Sequence, residues 1–459
     1  MSCQAVGRTN RASETEHVES KLALKVRRAK VIGDAWKAIR RNARTSKSED
    51  TKIEVAAFEE KLATNLRRLS RELQKKTFEF PPARGVKIPK DKKDKSNFRP
   101  LVVARVESRI VQRAVHDVLI GVPAIQRFVR TPFSFGGIKK NEGDDLAAVP
   151  AAIRAVLDAI GGGGGFVIRS DISKFFTRIP KSAVTDIVKN AVDDAEFVEL
   201  FTRSIAVELE NMAQLRESAN AFPIEDIGVA QGNSLSPLLG NLYLYNFDLE
   251  LNKRPDVRCV RYIDDFIILA PTREIAENAF AKAVSLLQRL GLSISANKTQ
   301  RAKVEEGFEF LGIDLSNGFI RPSKKARERV LASIEATLAK SRDAFREHSR
   351  SKKLFPALSL LETLKKVRGI IQGWGKHYSF CNDSKCFEQI DEKVQALIGS
   401  YLAVYRDERK NTDDAGRRRM LGIESLAQME REPFLWPRKQ AGRQNASSAS
   451  PGTDIVSAL

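Results

Sequence analysis

Three aspartates define the chemistry open to this chain. Asp171 closes the apolar run that begins at Phe166, and Asp264-Asp265 separates two β-rich stretches, Val257–Ile263 and Phe266–Ala270. Two residues between such stretches specify a tight hairpin, here with both carboxylates at its tip. An Asp-Asp pair alone is most often an exposed turn. Joined by a third aspartate at the end of another strand, it offers what a pair of hard divalent cations requires. Magnesium prefers carboxylate and water oxygens at about 2.1 Å and usually takes one or two protein carboxylates together with substrate phosphates. Asp171 and Asp264 can bridge two ions about 3.5–4 Å apart, one activating a 3′-hydroxyl and the other holding a triphosphate and its leaving oxygen. The chemistry implied is nucleotidyl transfer.

The elements that must position these groups read as a hairpin-rich α/β unit. Phe166–Asp171 is a short strand, preceded by five glycines, Gly161 to Gly165, that can only form a turn or connector. A helix is expected from about Thr272 to Leu290, with Thr272 as N-cap and Glu274 and Glu277 in its first turns. Phe308-Glu-Phe-Leu-Gly-Ile-Asp-Leu and Phe319-Ile320 flank Asn317-Gly318, a strong hairpin signal. After Pro322 the pattern turns helical to about Tyr405. Ser323 is placed to cap a helix carrying Val330, Ile334 and Leu338, and Phe387, Ile390, Val394, Leu397 and Tyr401 follow a heptad-like spacing.

Towards the N-terminus, Lys21 to about Arg44 reads as a basic helix with Leu22, Val26, Ala29 and Trp36, which either lies on phosphates or packs its apolar residues on the body. A second helix, about Ile53 to Gln74, places Ile53, Ala57, Leu62, Leu66 and Leu69 on one face. Between Lys87 and Lys95 lysines and aspartates alternate around Pro89, which favours an exposed loop or hairpin tip.

Length and charge bound the answer. The 459 residues suggest roughly three structural units of about 150 each. Lysine and arginine exceed aspartate and glutamate by 78 to 58, a net +20 that opposes compaction unless a polyanion uses it, so nucleic acid is the expected partner. Cys3, Cys259, Cys381 and Cys386 form neither a Cys-x-x-Cys pair nor a disulfide framework, and His377, Cys381 and Cys386 lack a fourth zinc ligand at a usual spacing. Met1 to Ser20 is polar and no run of about 18 apolar residues occurs, so a soluble, cytoplasmic protein without membrane contact is expected. The Gly-, Ala-, Ser- and Pro-rich tail beyond Pro437 is expected to lack fixed structure.

Asp171-Ile-Ser-Lys-Phe-Phe176, Gln231-Gly-Asn-Ser-Leu-Ser-Pro237, Tyr262-Ile-Asp-Asp265, Asn297-Lys298-Thr299 and Phe310-Leu-Gly312 stand in an order and spacing that resemble the reverse transcriptase family. Phe98-Arg99-Pro100-Leu101 and Arg109-Ile-Val-Gln112 resemble its opening finger motifs, so the likeness covers about residues 80 to 320. Gly373-Trp374-Gly375-Lys-His-Tyr378 looks like the thumb of group II intron and related bacterial enzymes, with Trp374 expected as thumb core and a minor-groove contact as the alternative. The resemblance implies an α+β right-hand polymerase fold with fingers, a palm built on an antiparallel sheet, a helical thumb and an N-terminal helical extension. The corresponding spans are 1–75 for the basic extension, 76–165 for the fingers, 166–321 for the palm with finger elements between 185 and 227, 322–405 for the thumb and 406–459 for a C-terminal extension.

What the resemblance implies for single residues follows the matched positions. Asp171 and Asp264 match the metal ligands for two Mg²⁺ ions, with Mn²⁺ as a substitute; Asp265 matches a third carboxylate that tunes the site, and the Ile172 carbonyl can also reach a cation. Arg99 resembles the arginine that grips the triphosphate through paired hydrogen bonds, and which of Lys90, Lys92, Lys93 or Lys95 assists it stays open. Lys174 and Phe175 belong to the same nucleotide-binding segment, with the Phe175 ring expected in the core. Phe176 matches the aromatic whose ring would clash with a 2′-hydroxyl and so select deoxyribonucleotides. Gln231 resembles the glutamine that touches the incoming nucleotide, Gly232 allows close approach of backbone to the templating pair, and Ser234, Ser236 and Pro237 cap and start the next helix. Lys298 matches a lysine proposed to protonate the pyrophosphate leaving group, with a surface salt bridge as the plain alternative. Phe310, Leu311 and Gly312 resemble the hairpin that holds the primer terminus.

Departures narrow the subgroup. No Cys/His-rich endonuclease segment follows the thumb, no RNase H constellation is evident after it, Ile263 stands where retron enzymes usually have alanine, and Gln231-Gly232 is not reversed as it often is in diversity-generating enzymes. What remains resembles stand-alone bacterial reverse transcriptases, many of which serve antiphage defence with a dedicated non-coding RNA. The implied partners are a structured RNA template, dNTPs and a cDNA product. The alternatives are a group II intron-type maturase that binds RNA as a splicing cofactor, and template-independent or protein-primed DNA synthesis. The pattern specifies neither template nor oligomeric state.

Overall fold

In the computed structural model, the structure describes residues 22–46, 48–90, 97–138, 146, 148–351, 353–426 and 429–436. The lysine-rich segment beyond Lys90 and the tail beyond Trp436 lie outside the described residues. Among the described residues, β1 (Arg84–Pro89) and β2 (Phe98–Val103) form an antiparallel hairpin. A four-stranded sheet is built from β3 (Phe166–Asp171), β4 (Arg258–Tyr262), β5 (Asp265–Ala270) and β6 (Gln300–Lys303), in the order β4-β5-β3-β6 with every pair antiparallel. A smaller sheet joins β7 (Phe308–Phe310), β8 (Ile313–Ser316) and β9 (Phe319–Pro322), also antiparallel. The mixture of helices and antiparallel sheets matches the expected α+β right-hand polymerase fold.

The central strands are apolar along almost their whole length because helices cover both faces. Ile168, Phe266 and Ile268 share one face with Phe247 and Phe280, from helices Ser236–Leu251 and Arg273–Arg289. Alternate residues point the other way, and helix Ala148–Gly161 lies against β4 and β5. Thr272 caps its helix as expected, accepting the Ile275 N–H.

Three local readings change. Asp265 pairs with Tyr262 and begins β5, so the two-residue turn is Ile263-Asp264, with Ile263 at φ +60°. The stretch from Phe308 to Leu315 is two strands, turned by Leu311 (φ +51°) and Gly312 (φ +78°). The helix expected over Lys21–Arg44 breaks at Arg27-Arg28 into Leu22–Val26 and Ala29–Arg44, and the next breaks at Lys61 into Glu49–Glu60 and Leu62–Gln74. The first break gives Ile32, Ala35, Trp36, Ile39 and Ala43 a common buried face, with Trp36 against Phe58 at 5.0 Å between centroids. Packing on the body is therefore what this helix does with its apolar residues. Ile53 is 67% exposed, and Val55 and Phe58 take the buried positions instead.

The chain divides into two compact units. The first runs to Arg327 and takes back Tyr378–Cys386; the second comprises Glu328–His377 and the chain from Phe387. In the first, Asn382 and Asp383 bind β9: the Ile320 N–H donates to Asn382 Oδ1 at 2.7 Å, the Asn382 N–H donates to the Ile320 carbonyl at 2.9 Å, and Arg321 donates to Asp383 at 3.2 Å. The second is helical, with Ile334, Leu338, Phe345 and Tyr401 in its core and Ser341 joined to Tyr401 by a 2.9 Å hydroxyl bond. Trp374 is half-buried and packs edge-on to Phe387.

Candidate active site

The antiparallel register sets Asp171, the last residue of β3, directly opposite Asp265, the first residue of β5, and the turn brings Asp264 beside them. Each carboxylate offers an oxygen such that all three lie within 4.8 Å of one another. Among the described residues this is the group of acidic, histidine or cysteine side chains placed to hold a metal ion.

The backbone locks this corner. Ile172 donates its N–H to the Asp264 carbonyl at 2.9 Å, Ser173 to Ser293 at 2.7 Å, and Ser295 to the Asp171 carbonyl at 2.8 Å. The Ile172 side chain is in the core, so only its backbone belongs to the site. The Ser295 hydroxyl donates to Asp171 Oδ2 at 2.9 Å and Lys298 Nζ donates to the same oxygen at 2.8 Å.

The electrostatics are those of surplus negative charge. Burial, then the neighbouring Asp171, raises the Asp264 carboxyl above the usual carboxylate range, against the pull of Lys298 and Arg99. Burial, then Asp264 and Asp171, pushes Asp265 up to about 6, with Arg169 and Lys298 opposing. Hard oxygen donors that repel one another in a partly desolvated corner fit a divalent cation, because its charge relieves both repulsion and desolvation.

A cleft of about 780 Å³ has Lys90, Arg99, Lys174 and Arg178 as its cations, with Gln231 also on its wall; its Arg99 is the guanidinium that pulls on Asp264. Lys174 adopts φ +50°, which turns the chain into the short helix Phe175–Thr177. Phe175 is 2% exposed and lies in the core, so of the two phenylalanines only the half-buried Phe176 retains surface; their centroids are 5.3 Å apart. The Gln231 carbonyl accepts the Val102 N–H at 2.9 Å, tying this loop to β2. Gly232, at φ +112°, is needed at this junction: a Cβ there would stand 2.8 Å from the Val102 carbonyl oxygen. The close approach is thus to the β2 backbone.

The remaining expected positions scatter. Phe310 is fully buried, which leaves Leu311 and Gly312 as the surface of that turn. Arg169 donates to the Glu309 carbonyl at 2.7 Å and so links β3 to this hairpin. Ser236 and Pro237 start the helix Ser236–Leu251 as expected, but neither Ser234 nor Ser236 caps it. The Asn233 side chain accepts the Leu235 N–H at 3.0 Å, and Ser236 donates to the Ala230 carbonyl at 2.6 Å.

One cluster escaped the sequence reading. Arg261 is fully buried and donates Nε and Nη2 to the two carboxylate oxygens of Asp248 at 2.7 and 2.6 Å, while Nη1 donates to Asn241 Oδ1 at 3.1 Å and to the Ile263 carbonyl at 2.9 Å. Burial raises the Asp248 carboxyl and the guanidinium opposes that rise. Arg261 between Val260 and Tyr262 of a strand, and Asp248 between Phe247 and Leu249 of a helix, were the available signal, since each needs a partner when buried.

The family model for reverse transcriptase (RNA-dependent DNA polymerase) matches residues 88–315. Protein YkfC of Escherichia coli (strain K12) is 27% identical over 319 residues, covering 61% of this chain and 78% of that protein. The COX1/OXI3 intron 2 protein of Saccharomyces cerevisiae is 22% identical over 405 residues, covering 74% of this chain and 43% of the intron protein. Among solved structures, a chain of a partial Cas6-RT-Cas1–Cas2 complex is 19% identical with a TM-score of 0.34, covering 59% of this chain and 42% of that one. No described helix is long and apolar enough to cross a membrane.

Proposed function

The chain belongs to the reverse transcriptase family of RNA-directed DNA polymerases, and we propose that it copies a bound structured RNA into cDNA by adding deoxynucleotides to a 3′-hydroxyl at Asp171, Asp264 and Asp265. The observation that carries this reading is the convergence of Asp171 with the distant Asp264-Asp265 pair, within electrostatic reach of Arg99 on the wall of a cleft with four cationic side chains. Mg²⁺ bound there, as two ions and with Mn²⁺ as a substitute, supplies the charge that activates the attacking hydroxyl and neutralises the leaving pyrophosphate. Asp171 and Asp264 would hold the cations together with the Ile172 carbonyl, and Asp265 would tune their field.

The chain's own groups do the rest by position and electrostatics. Arg99 and Lys174 bind the triphosphate from the cleft wall. Gln231 touches the incoming nucleotide, while Gly232 lets its loop lie against β2. Phe176 bars a 2′-hydroxyl. Leu311 and Gly312 present a turn to the primer terminus, and Phe310 anchors that turn from the core. Lys298 gives its proton to the leaving pyrophosphate once released from Asp171.

For the biological setting we infer a cytoplasmic enzyme that copies a dedicated non-coding RNA in antiphage defence, supported by Ile263 where retron enzymes usually have alanine and by the unreversed Gln231-Gly232. The second reading, an intron maturase, is favoured by the likeness to the yeast intron protein. Ribozyme sequence flanking the gene would support the maturase, and an unrelated structured RNA the defence enzyme. Protein-primed synthesis would leave the first nucleotide covalently attached to the chain.

The test of the polymerase reading is purified protein with Mg²⁺, labelled dNTPs and both primed and co-purified RNA. Labelled DNA is expected, abolished by Asp264→Asn with RNA binding retained. No DNA from any template overturns the reading.

A further inference from the structure

We propose that the buried Asp248–Arg261 pair, together with the Phe133–Gly136 segment, is a positioning device for the turn that carries Asp264. The inference rests on the polymerase reading and adds residues that touch neither substrate nor cation.

Ile263, which immediately precedes Asp264, is β-branched and sits at φ +60°, a conformation that side chains of this type rarely adopt. Such a peptide persists only where its surroundings over-determine it. Three restraints do so here. From below, Arg261 Nη1 donates to the Ile263 carbonyl at 2.9 Å. From β3, the Ile172 N–H holds the Asp264 carbonyl at 2.9 Å. From the side, the Gly136 backbone lies so close that an added Cβ would stand 2.7 Å from the Ile263 nitrogen and 2.6 Å from its Cγ1.

The lateral restraint is tied to the buried pair. The Phe133–Phe135 stretch runs alongside β4 and bonds both backbone groups of Arg261: its N–H donates to the Phe133 carbonyl at 2.8 Å, and its carbonyl accepts the Phe135 N–H at 3.0 Å. Asn241 closes the network. Its Oδ1 accepts from Arg261 and from the Ser134 hydroxyl at 3.2 Å, and its Nδ2 donates to the Gly136 carbonyl at 2.9 Å. One guanidinium therefore sets both the carbonyl of the turn and, through Asn241, the backbone that flanks it.

Stability alone does not account for this arrangement. A fully buried ion pair is a poor stabiliser, and well-packed apolar replacements are often neutral or better. What apolar side chains cannot replace is the third arm of the fork, which reaches Ile263 while the other two hold Asp248.

The experiment follows from that distinction. The double variant Asp248→Leu/Arg261→Met removes both charges and the fork together. It is expected to unfold within a few degrees of the parent and to bind template–primer equally well. Its kcat for dNTP incorporation should fall roughly 10- to 100-fold with KM for dNTP little changed, and Mn²⁺ affinity of the protein without nucleic acid should weaken by a similar factor. A folded double variant with parental kcat and Mn²⁺ affinity overturns the proposal. If the double variant gives no cooperative unfolding, Gly136→Ala tests the same peptide with the ion pair intact. The same loss in kcat and Mn²⁺ affinity is expected, and parental values for both sink the idea. Should the parent make no DNA at all, the polymerase reading fails, while the Mn²⁺ titrations still decide this one.

Discussion

Lys298 donates to Asp171 Oδ2 at 2.8 Å, the carboxylate oxygen that the Ser295 hydroxyl also reaches. The ammonium thus sits where positive charge is most needed and competes with any cation that would use that oxygen. Lys298→Met should lower the unfolding midpoint in EDTA by about 1–3 °C, a small effect because the lysine is more than half exposed. The gap between midpoints in EDTA and in Mg²⁺ should widen. Identical gaps in parent and variant would mean that the ammonium and the cation do not share a position.

The pH dependence has a definite sign. With the folded-state Asp265 carboxyl pushed up to about 6 and an unfolded one near the ordinary value of about 4, the folded chain holds more protons between those limits. Without metal, stability contributed by this group therefore falls as pH rises from about 4 to about 6, and the deficit persists above that range. Asp265→Asn should flatten that slope and stabilise the EDTA-treated protein at pH 7.5 by on the order of 1–2 kcal/mol, while impairing synthesis. Thermal unfolding across pH 4.5–8 (about the range in which such carboxyls titrate) reads it directly, and a variant less stable than the parent in EDTA contradicts the repulsion argument.

Gly232 is held at φ +112° with no room for a Cβ beside the Val102 carbonyl. Gly232→Ala must move the 230–233 loop off β2 or abandon its backbone conformation, at a cost of about 1–3 kcal/mol. Because Gln231 is carried on that loop, KM for dNTP should rise in protein that remains folded. Unchanged steady-state parameters would detach this loop from nucleotide binding.

Phe176 is the ring of its pair that keeps surface, since Phe175 is in the core. Phe176→Val should admit ribonucleotides, read as the ratio of kcat/KM for dNTP over NTP, with at most a modest change in dNTP use. Unaltered discrimination places the sugar gate elsewhere. The matching change at Phe175 should instead reduce stability, as truncation of a buried aromatic does.

The sequence made the trio legible because carboxylates at strand ends and in two-residue turns leave a spacing that helical or core residues would not. It also made the Asn317-Gly318 and Thr272 signals legible, since turn and cap chemistry are local. It misplaced the turn by one residue because Ile263, a strand former, occupies a left-handed position that tertiary contacts impose. Leu311 hid a second turn for the same reason. The N-terminal helix breaks went unread because heptad-like spacing continues across them, and only the packed body shows which face is buried. The Asp248–Arg261–Asn241 network went unread because Arg261 is on β4 while Asp248 and Asn241 are on the helix Ser236–Leu251, and no local pattern pairs the two.

The return of Tyr378–Cys386 to the first unit bears on how this molecule can be dissected. Asn382 and Asp383 cover the outer edge of β9 with bonds to Ile320 and Arg321. A polypeptide shortened to end at Arg327 would keep every catalytic side chain and yet bare an unpaired strand margin, a ready template for sticking to other chains. Clumping of such a fragment would report a missing guard, supplied from more than fifty positions downstream, and would say nothing against the soundness of the catalytic corner itself.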